Sequence, residues 1–125
     1  MNDATPQYAT IPGFEQLTAQ EVFDISVNHL RKQGTKSRNS QGMCLYRAAD
    51  GSKCAAGPLL REEAVASCEN NSWYSLAQRG SVPEIHRELV SELQATHDGA
   101  GRCDWEEAWQ HLASRSSLIY TPLTK

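Results

Sequence analysis

The chain has 125 residues, a formal net charge of −3 and 39% hydrophobic residues, a length typical of one domain that buries its core without disulfides or metal. It contains no run of 18 apolar residues, which argues against a membrane-spanning helix. No basic region with an apolar stretch behind it lies near the start, so we expect no secretory signal. We therefore predict a cytoplasmic protein whose four cysteines stay reduced.

Charge is segregated along the chain. Residues 31–61 carry seven basic side chains against one acid, whereas residues 62–111 carry ten acids against three arginines. Such blocks are typical of a charged binding face, and they are equally compatible with two ordinary solvated faces.

The first predicted helix opens at Leu17. Residues 1–16 are polar and contain two prolines, so we predict a flexible N-terminal arm there, with Tyr8, Ile11 or Phe14 able to pack onto the core. Thr18 and Glu21 form a capping box, and apolar residues then follow at helical spacing. Gly34 is placed to end the helix.

Residues 44–57 predict a β-hairpin around Asp50-Gly51. A three-residue loop, with Gly51 in the left-handed conformation, gives the cleaner alternation of side chains. This register turns one set inward, namely Cys44, Tyr46, Cys54 and Ala56, and the other outward, namely Leu45, Arg47, Lys53 and Ala55. The cysteines are therefore expected in the core.

Further helices are predicted in the second half of the chain. Two short helices cover Leu60–Cys68 and Ser72–Arg79. A longer helix begins with a Ser81/Glu84 capping box, and its apolar stripe consists of Ile85, Leu89, Leu93 and Thr96. A last helix follows Asp104. The predicted fold is a mainly helical α+β domain over residues 17–125, with about four helices packed on one small antiparallel hairpin sheet.

The cysteines and histidines are candidates for two kinds of chemistry. Four side chains could serve as zinc ligands: Cys44, Cys54, His97 and Cys103. Their spacings match no standard zinc module, and buried cysteines act more often as small hydrophobes. A thiol nucleophile at Cys54, with His97 as base, lacks a supporting local motif. We therefore predict no metal or cofactor, and keep a small metal-binding or cysteine-dependent enzyme as an alternative.

Two charged patches are candidate contact faces. The basic candidates are Arg31, Lys32, Lys36, Arg38, Arg47 and Lys53. Such a basic patch could bind phosphates. No recognition helix or aromatic base platform is readable in the sequence, so direct nucleic-acid binding is kept only as a further alternative. Glu84, Glu88 and Glu92 recur four residues apart and predict an acidic ridge on one helix, the second choice of contact face.

The pattern C-x-Y-R-x-x-x-G-x-K-C-A-x-G, from Cys44 to Gly57, resembles a motif in a group of short uncharacterised proteins of bacteria and their phages. The similarity extends to the opening helix, Leu17–Asp24, to the segment Leu89–Asp98 and to the tryptophan-bearing helix Trp105–Leu112. The group brings no established activity. It implies a mobile-element accessory protein, and small proteins of that kind often bind and block host machinery, including CRISPR effector complexes.

Together, these observations predict a non-enzymatic accessory protein of phage or prophage type. We expect it to bind and inhibit a host protein or ribonucleoprotein complex, such as a CRISPR-type defence effector, through the six basic residues. The sequence specifies neither the partner nor the oligomeric state.

Overall fold

The computed structural model describes residues 8–34, 45–48, 51–69, 71–99 and 105–122. Within these ranges the regular structure is helical. The α-helices are α1 (Ala19–Gln33), α2 (Val65–Cys68), α3 (Trp73–Gln78), α4 (Arg87–Gly99) and α5 (Trp105–Arg115). Single 3₁₀ turns cover Phe14–Gln16, Gly57–Leu59 and Glu62–Ala64.

Helix α1 begins and ends as its sequence predicts. The Glu21 amide donates to Thr18 Oγ1 at 3.1 Å, and the Thr18 amide donates to Glu21 Oε1 at 2.8 Å, which completes the capping box. Gly34 ends the helix with a φ of 76°, a left-handed conformation that glycine adopts without a steric cost. Phe23, Val27 and Leu30 lie on one buried face.

Helix α4 is the centre of the domain, because it contacts α1, α3 and α5. Its buried face consists of Leu89, Val90, Leu93 and His97, spaced so that they share one side of the helix. The largest side chains of this core come from the neighbouring helices, Trp73 from α3 and Trp109 from α5. Burial of such aromatic residues dominates the stability of a small domain.

The predicted start of the long helix is wrong. Helix α4 begins at Arg87, so Ser81 and Glu84 do not cap it, and Ile85 is 46% exposed. Tertiary contacts explain the difference. The Ser81 carbonyl accepts a hydrogen bond from the Ala9 amide at 2.8 Å, and His86 has a φ of 69°, which interrupts any helix before it.

The predicted α+β class is also wrong, because no strand or sheet forms among the described residues. The chain does turn back with the expected three-residue loop: Arg47 and Lys53 form one antiparallel bridge, and Gly51 has a φ of 90°. The ladder stops there for a physical reason. The Tyr46 amide, which should bond to the Cys54 carbonyl in an antiparallel ladder, donates to Glu69 instead, and the Cys54 carbonyl accepts from Gly57.

The backbone departs from the hairpin path directly after Lys53 and Cys54, where the Gly57 amide donates to the Cys54 carbonyl. The outward placement predicted for Ala55 is therefore wrong, and this side chain is fully buried. Tyr46 and Cys54 are buried as predicted, whereas Cys44 lies outside the described residues.

The segment before α1 joins the core. The Ile11 amide donates to Leu59 at 2.9 Å and the Arg61 amide donates to Ala9 at 2.8 Å, on either side of a bridge between Thr10 and Leu60. Of the three residues predicted to pack onto the core, Phe14 is completely buried, Ile11 is half-buried and Tyr8 is exposed. The Phe14 ring lies edge-on to His86, with 5.6 Å between the ring centroids. Residues 8–16 thereby connect the 59–61 stretch to the loop before α4.

Candidate partner-binding surface

The turn formed by residues 45–48 and 51–54 is held by side chains of two other segments. Glu69 accepts from the Tyr46 amide at 3.0 Å and from the Arg47 amide at 3.1 Å, one with each carboxylate oxygen. From the other side, the Gln33 side chain accepts from the Lys53 amide and donates to the Lys53 carbonyl, both at 2.7 Å. The backbone is thus fastened to the end of α1 and to the segment after α2.

Gly57 allows this arrangement through its size. A Cβ atom at this position would lie 2.4 Å from the Tyr46 carbonyl oxygen and 2.7 Å from Lys53 Cβ. Both distances are far below van der Waals contact, and the first involves backbone that cannot rotate away. The last glycine of the C-x-Y-R…C-A-x-G motif is therefore required for close packing of the turn.

The outer side of the turn carries two cations on one carboxylate. Arg47 Nη1 pairs with Glu62 Oε1, and Lys53 Nζ lies 3.0 Å from Glu62 Oε2. The hydrogen bond from Lys53 is the main reason that the pKa of Glu62 lies below its ordinary value. Two carboxylates, Glu62 on the side chains and Glu69 on the backbone of Tyr46 and Arg47, balance the two cations of the turn. The side chain of Arg47 is nevertheless 46% exposed.

The structure separates the six predicted contact residues into three groups. The first group comprises Lys32, Arg47 and Lys53, and we call these three the basic turn surface. Lys32 belongs to the end of α1, and the next residue, Gln33, binds the backbone of Lys53 in the turn. Lys36 and Arg38 lie outside the described residues. Arg31 is the third case, and it is used inside the fold.

Arg31 is a packing residue. Its Nε and Nη2 atoms donate to the two oxygens of Glu106 at 2.8 and 2.6 Å, and Nη2 also donates to the Thr121 carbonyl at 2.8 Å. The guanidinium carbon lies 5.8 Å from the Trp109 ring centroid and 5.7 Å from that of Tyr120. Its hydrogen bond to Glu106 is the main reason that its own pKa is raised and that of Glu106 is lowered. A side chain with these contacts belongs to the core side of the helix.

Two of the four side chains that the sequence offered as metal ligands lie within the described residues. Cys54 and His97 are both fully buried, and the His97 ring stacks on Trp105 at 5.8 Å between centroids. Cys44 and Cys103 lie outside the described residues. In the described ranges, no three His, Cys, Asp or Glu side chains come together as a metal site would require.

The predicted acidic ridge does not form as expected. Glu84 precedes α4, so it is not in register with Glu88 and Glu92. Arg87 pairs with both Glu84 and Glu88, at 2.9 and 3.3 Å, and Arg115 of α5 pairs with Glu92 at 3.0 Å. Arginines therefore neutralise much of this charge, which makes the second choice of contact face less suitable.

Sequence reasoning missed the residues that build the basic turn surface, namely Gln33, Gly57, Glu62 and Glu69. Gly57 was present in the motif, but its role as the site of a close approach depends on which backbone lies opposite. The two glutamates lie 15 and 22 residues beyond Arg47, and no local pattern indicates so distant a partner.

Comparisons with protein-family models, with curated proteins and with solved structures found no match. Among the helices of the described residues, none combines the length and the apolar character needed to cross a bilayer.

Proposed function

We propose that this chain is a non-enzymatic accessory protein of phage or prophage type that binds a host protein or ribonucleoprotein complex and inhibits it. The contact is made by the basic turn surface. A cytoplasmic location and a defence-type target, such as a CRISPR effector complex, belong to the same proposal. The motif resemblance supplies the mobile-element context.

One observation carries the proposal: the turn that presents Arg47 and Lys53 has its backbone held by two side chains. Glu69 and Gln33 make four hydrogen bonds to the backbone of Tyr46, Arg47 and Lys53. A backbone held in this way loses little conformational entropy when the surface binds, which favours affinity.

Glu62 neutralises part of the basic turn surface when no partner is bound. It compensates the two cations while the surface faces water, and an acidic partner replaces it on binding. Exposed ion pairs of this kind contribute little to stability, so the exchange costs little. Charged surfaces complementary to a partner mainly raise the association rate and the selectivity.

The test is capture of a partner from host lysate by the full chain. Lys32→Glu with Arg47→Glu reverses two charges of the basic turn surface. Arg79→Glu with Arg115→Glu is the matched control, because it changes the net charge equally and also removes one ion pair, that of Arg115 with Glu92. We expect the first variant to lose at least about tenfold of the captured partner, by loss of complementary charge, and the control to retain it.

Equal capture by the two variants would refute the assignment of the surface. Nuclease treatment of the lysate distinguishes the partner classes: a protein contact survives it, whereas nucleic-acid binding does not and falls steeply as salt is raised.

A further inference from the structure

The last described residues, 118–122, lie across α1 and α5 in the way an extended peptide lies in a groove; we call them the strap. The Gln20 side chain pairs with one strap residue at both backbone atoms: it accepts from the Ile119 amide at 2.8 Å and donates to the Ile119 carbonyl at 3.0 Å. Two residues later, Arg31 donates to the Thr121 carbonyl at 2.8 Å. This two-residue spacing is that of an extended chain.

The strap side chains alternate in the same way. Leu118 and Tyr120 are half-buried against the core, while Ile119 is 71% exposed. The Tyr120 hydroxyl donates to Glu106 Oε1 at 2.6 Å, so it joins the Arg31–Glu106 pair. The groove therefore recognises backbone at residues 119 and 121 and one specific side chain, a phenol, between them.

Open space lies beside the strap on its α1 side. This cleft of about 270 Å³ is lined by α1 from Phe23 to Arg31 and by Tyr120 and Thr121 of the strap. The hydrogen bonds of Gln20 and Arg31 to the strap are exposed to solvent. Segments held by few buried apolar contacts and by exposed hydrogen bonds open locally at low cost. The chain reaches the strap through Ser117, which has a φ of 58°, a conformation that non-glycine residues rarely adopt.

We propose that the groove between α1 and α5 is a docking site for an extended segment of a partner protein, and that the strap is its own internal competitor. The partner segment carries an apolar residue and, two positions later, a tyrosine, as the strap does with Leu118 and Tyr120. Gln20 and Arg31 bind its backbone, and Glu106 binds its phenol. This site is independent of the basic turn surface.

The test uses the full chain and a synthetic peptide with the sequence of residues 117–125. Ile119→Pro removes the amide that Gln20 binds, at an exposed position, and so weakens the strap without altering the groove. Thr121→Pro is the matched control, because Arg31 binds the carbonyl of residue 121 and a proline retains it. Binding is followed by the fluorescence anisotropy of a peptide labelled at its N-terminus, a readout that every variant retains, including Gln20→Ala. NMR at the Gln20 side-chain amide locates the binding in the chains that keep this residue.

We expect the peptide to bind the Ile119→Pro chain about tenfold more tightly than the wild type, because an internal competitor lowers the apparent affinity by the fraction of open groove. The Thr121→Pro chain should behave as the wild type. A peptide with alanine in place of its tyrosine should bind about tenfold more weakly, since it lacks the charge-assisted hydrogen bond to Glu106.

Equal peptide affinity for wild type and Ile119→Pro would overturn the proposal, and so would binding that persists after Gln20→Ala. A second variant, Ile119→Pro with Tyr120→Ala, also removes the hydroxyl that donates to Glu106, so it releases the strap even where the single substitution leaves the strap bound. Absence of peptide binding to this chain also refutes a docking site. Charge reversal at Lys32 and Arg47 leaves peptide binding unchanged, so failure of this proposal is distinguishable from failure of the proposed function.

Discussion

Arg31 and Glu106 form a two-pronged ion pair that joins α1 to α5, with Nε and Nη2 of the arginine 2.8 and 2.6 Å from the two carboxylate oxygens. The side chain of Arg31 is only 16% exposed. Forked arginine–carboxylate pairs of this kind are stronger and more directional than single hydrogen bonds. The pair also receives the hydroxyl of Tyr120, so one cluster connects two helices and the C-terminal segment.

Arg31→Met should lower the free energy of unfolding by about 2–3 kcal/mol, because it leaves the partly buried Glu106 without its main partner. Lys32→Met is the matched control on the next residue, which is exposed, and should change stability by less than about 0.5 kcal/mol. Urea unfolding followed by circular dichroism measures both. A similar loss in the two variants would contradict the packing role of Arg31.

The Glu106 carboxylate should make the domain sensitive to acid. Its pKa in the folded chain lies below the ordinary value of 4.5, chiefly because of the Arg31 hydrogen bond. The unfolded chain therefore takes up a proton first as the pH falls, so this contribution is complete well above pH 4.5 and is lost on acidification through the folded pKa.

Glu106→Gln should accordingly be less stable than the wild type at pH 7, and the difference should shrink towards pH 3. The control is Glu107→Gln on the following residue, whose side chain is 76% exposed. Unfolding curves at several pH values give the comparison. A difference between wild type and Glu106→Gln that does not vary with pH would contradict this assignment.

His29 should oppose folding in mildly acidic solution. Burial, as the largest cause, lowers the pKa of this imidazole below 6.5, and the nearby charge of Lys53 lowers it further. Its Nε2 atom is buried without a hydrogen-bond partner among the described residues. Because the unfolded chain is protonated first as the pH falls, stability should decline below pH 6.5 until the folded pKa is reached.

His29→Gln should reduce this decline between pH 7 and pH 5. His111→Gln, at a side chain that is 70% exposed, is the matched histidine control. Thermal unfolding across the pH range measures the effect. An unchanged slope in His29→Gln would show that another group causes the decline.

Gly57→Ala should destabilise the domain by about 3 kcal/mol or more, because the new methyl group meets the Tyr46 carbonyl and cannot be accommodated without moving the backbone. Gly51→Asn is the matched control: nothing lies within 4 Å of a Cβ at Gly51, and asparagine tolerates the left-handed conformation. It should cost less than about 1 kcal/mol. Equal destabilisation of the two variants would place the constraint in the turn itself instead of in the packing around Gly57.

Cys54 and Cys68 should react with iodoacetamide only when the domain unfolds. Both side chains are buried, and burial raises the pKa of the Cys68 thiol, so little of the reactive thiolate is present at neutral pH. Peptide mapping by mass spectrometry gives the labelling rate at each site, with the chain unfolded in urea as reference. Rapid labelling of Cys54 in the native protein would revive the cysteine-dependent enzyme as an alternative.

Elements whose signals are local could be predicted from the sequence alone. The Thr18–Glu21 box and Gly34 define the ends of α1, and the spacing of Phe23, Val27 and Leu30 gives its buried face. The three-residue loop at Gly51 is equally local. In each case the hydrogen bonds and the backbone conformation involve residues within a few positions of one another, so propensity and pattern are enough.

The tertiary structure decided the rest, because distant groups compete for the same backbone atoms. Glu69 accepts a hydrogen bond from the Tyr46 amide, which would otherwise have extended the Arg47–Lys53 bridge. The Ala9 amide donates to the Ser81 carbonyl at the expected start of the long helix. For the same reason Arg31, which the charge pattern assigned to a binding face, packs against the rings of Trp109 and Tyr120. Its partner Glu106 is 75 residues away along the chain, and only folding brings the two charges together.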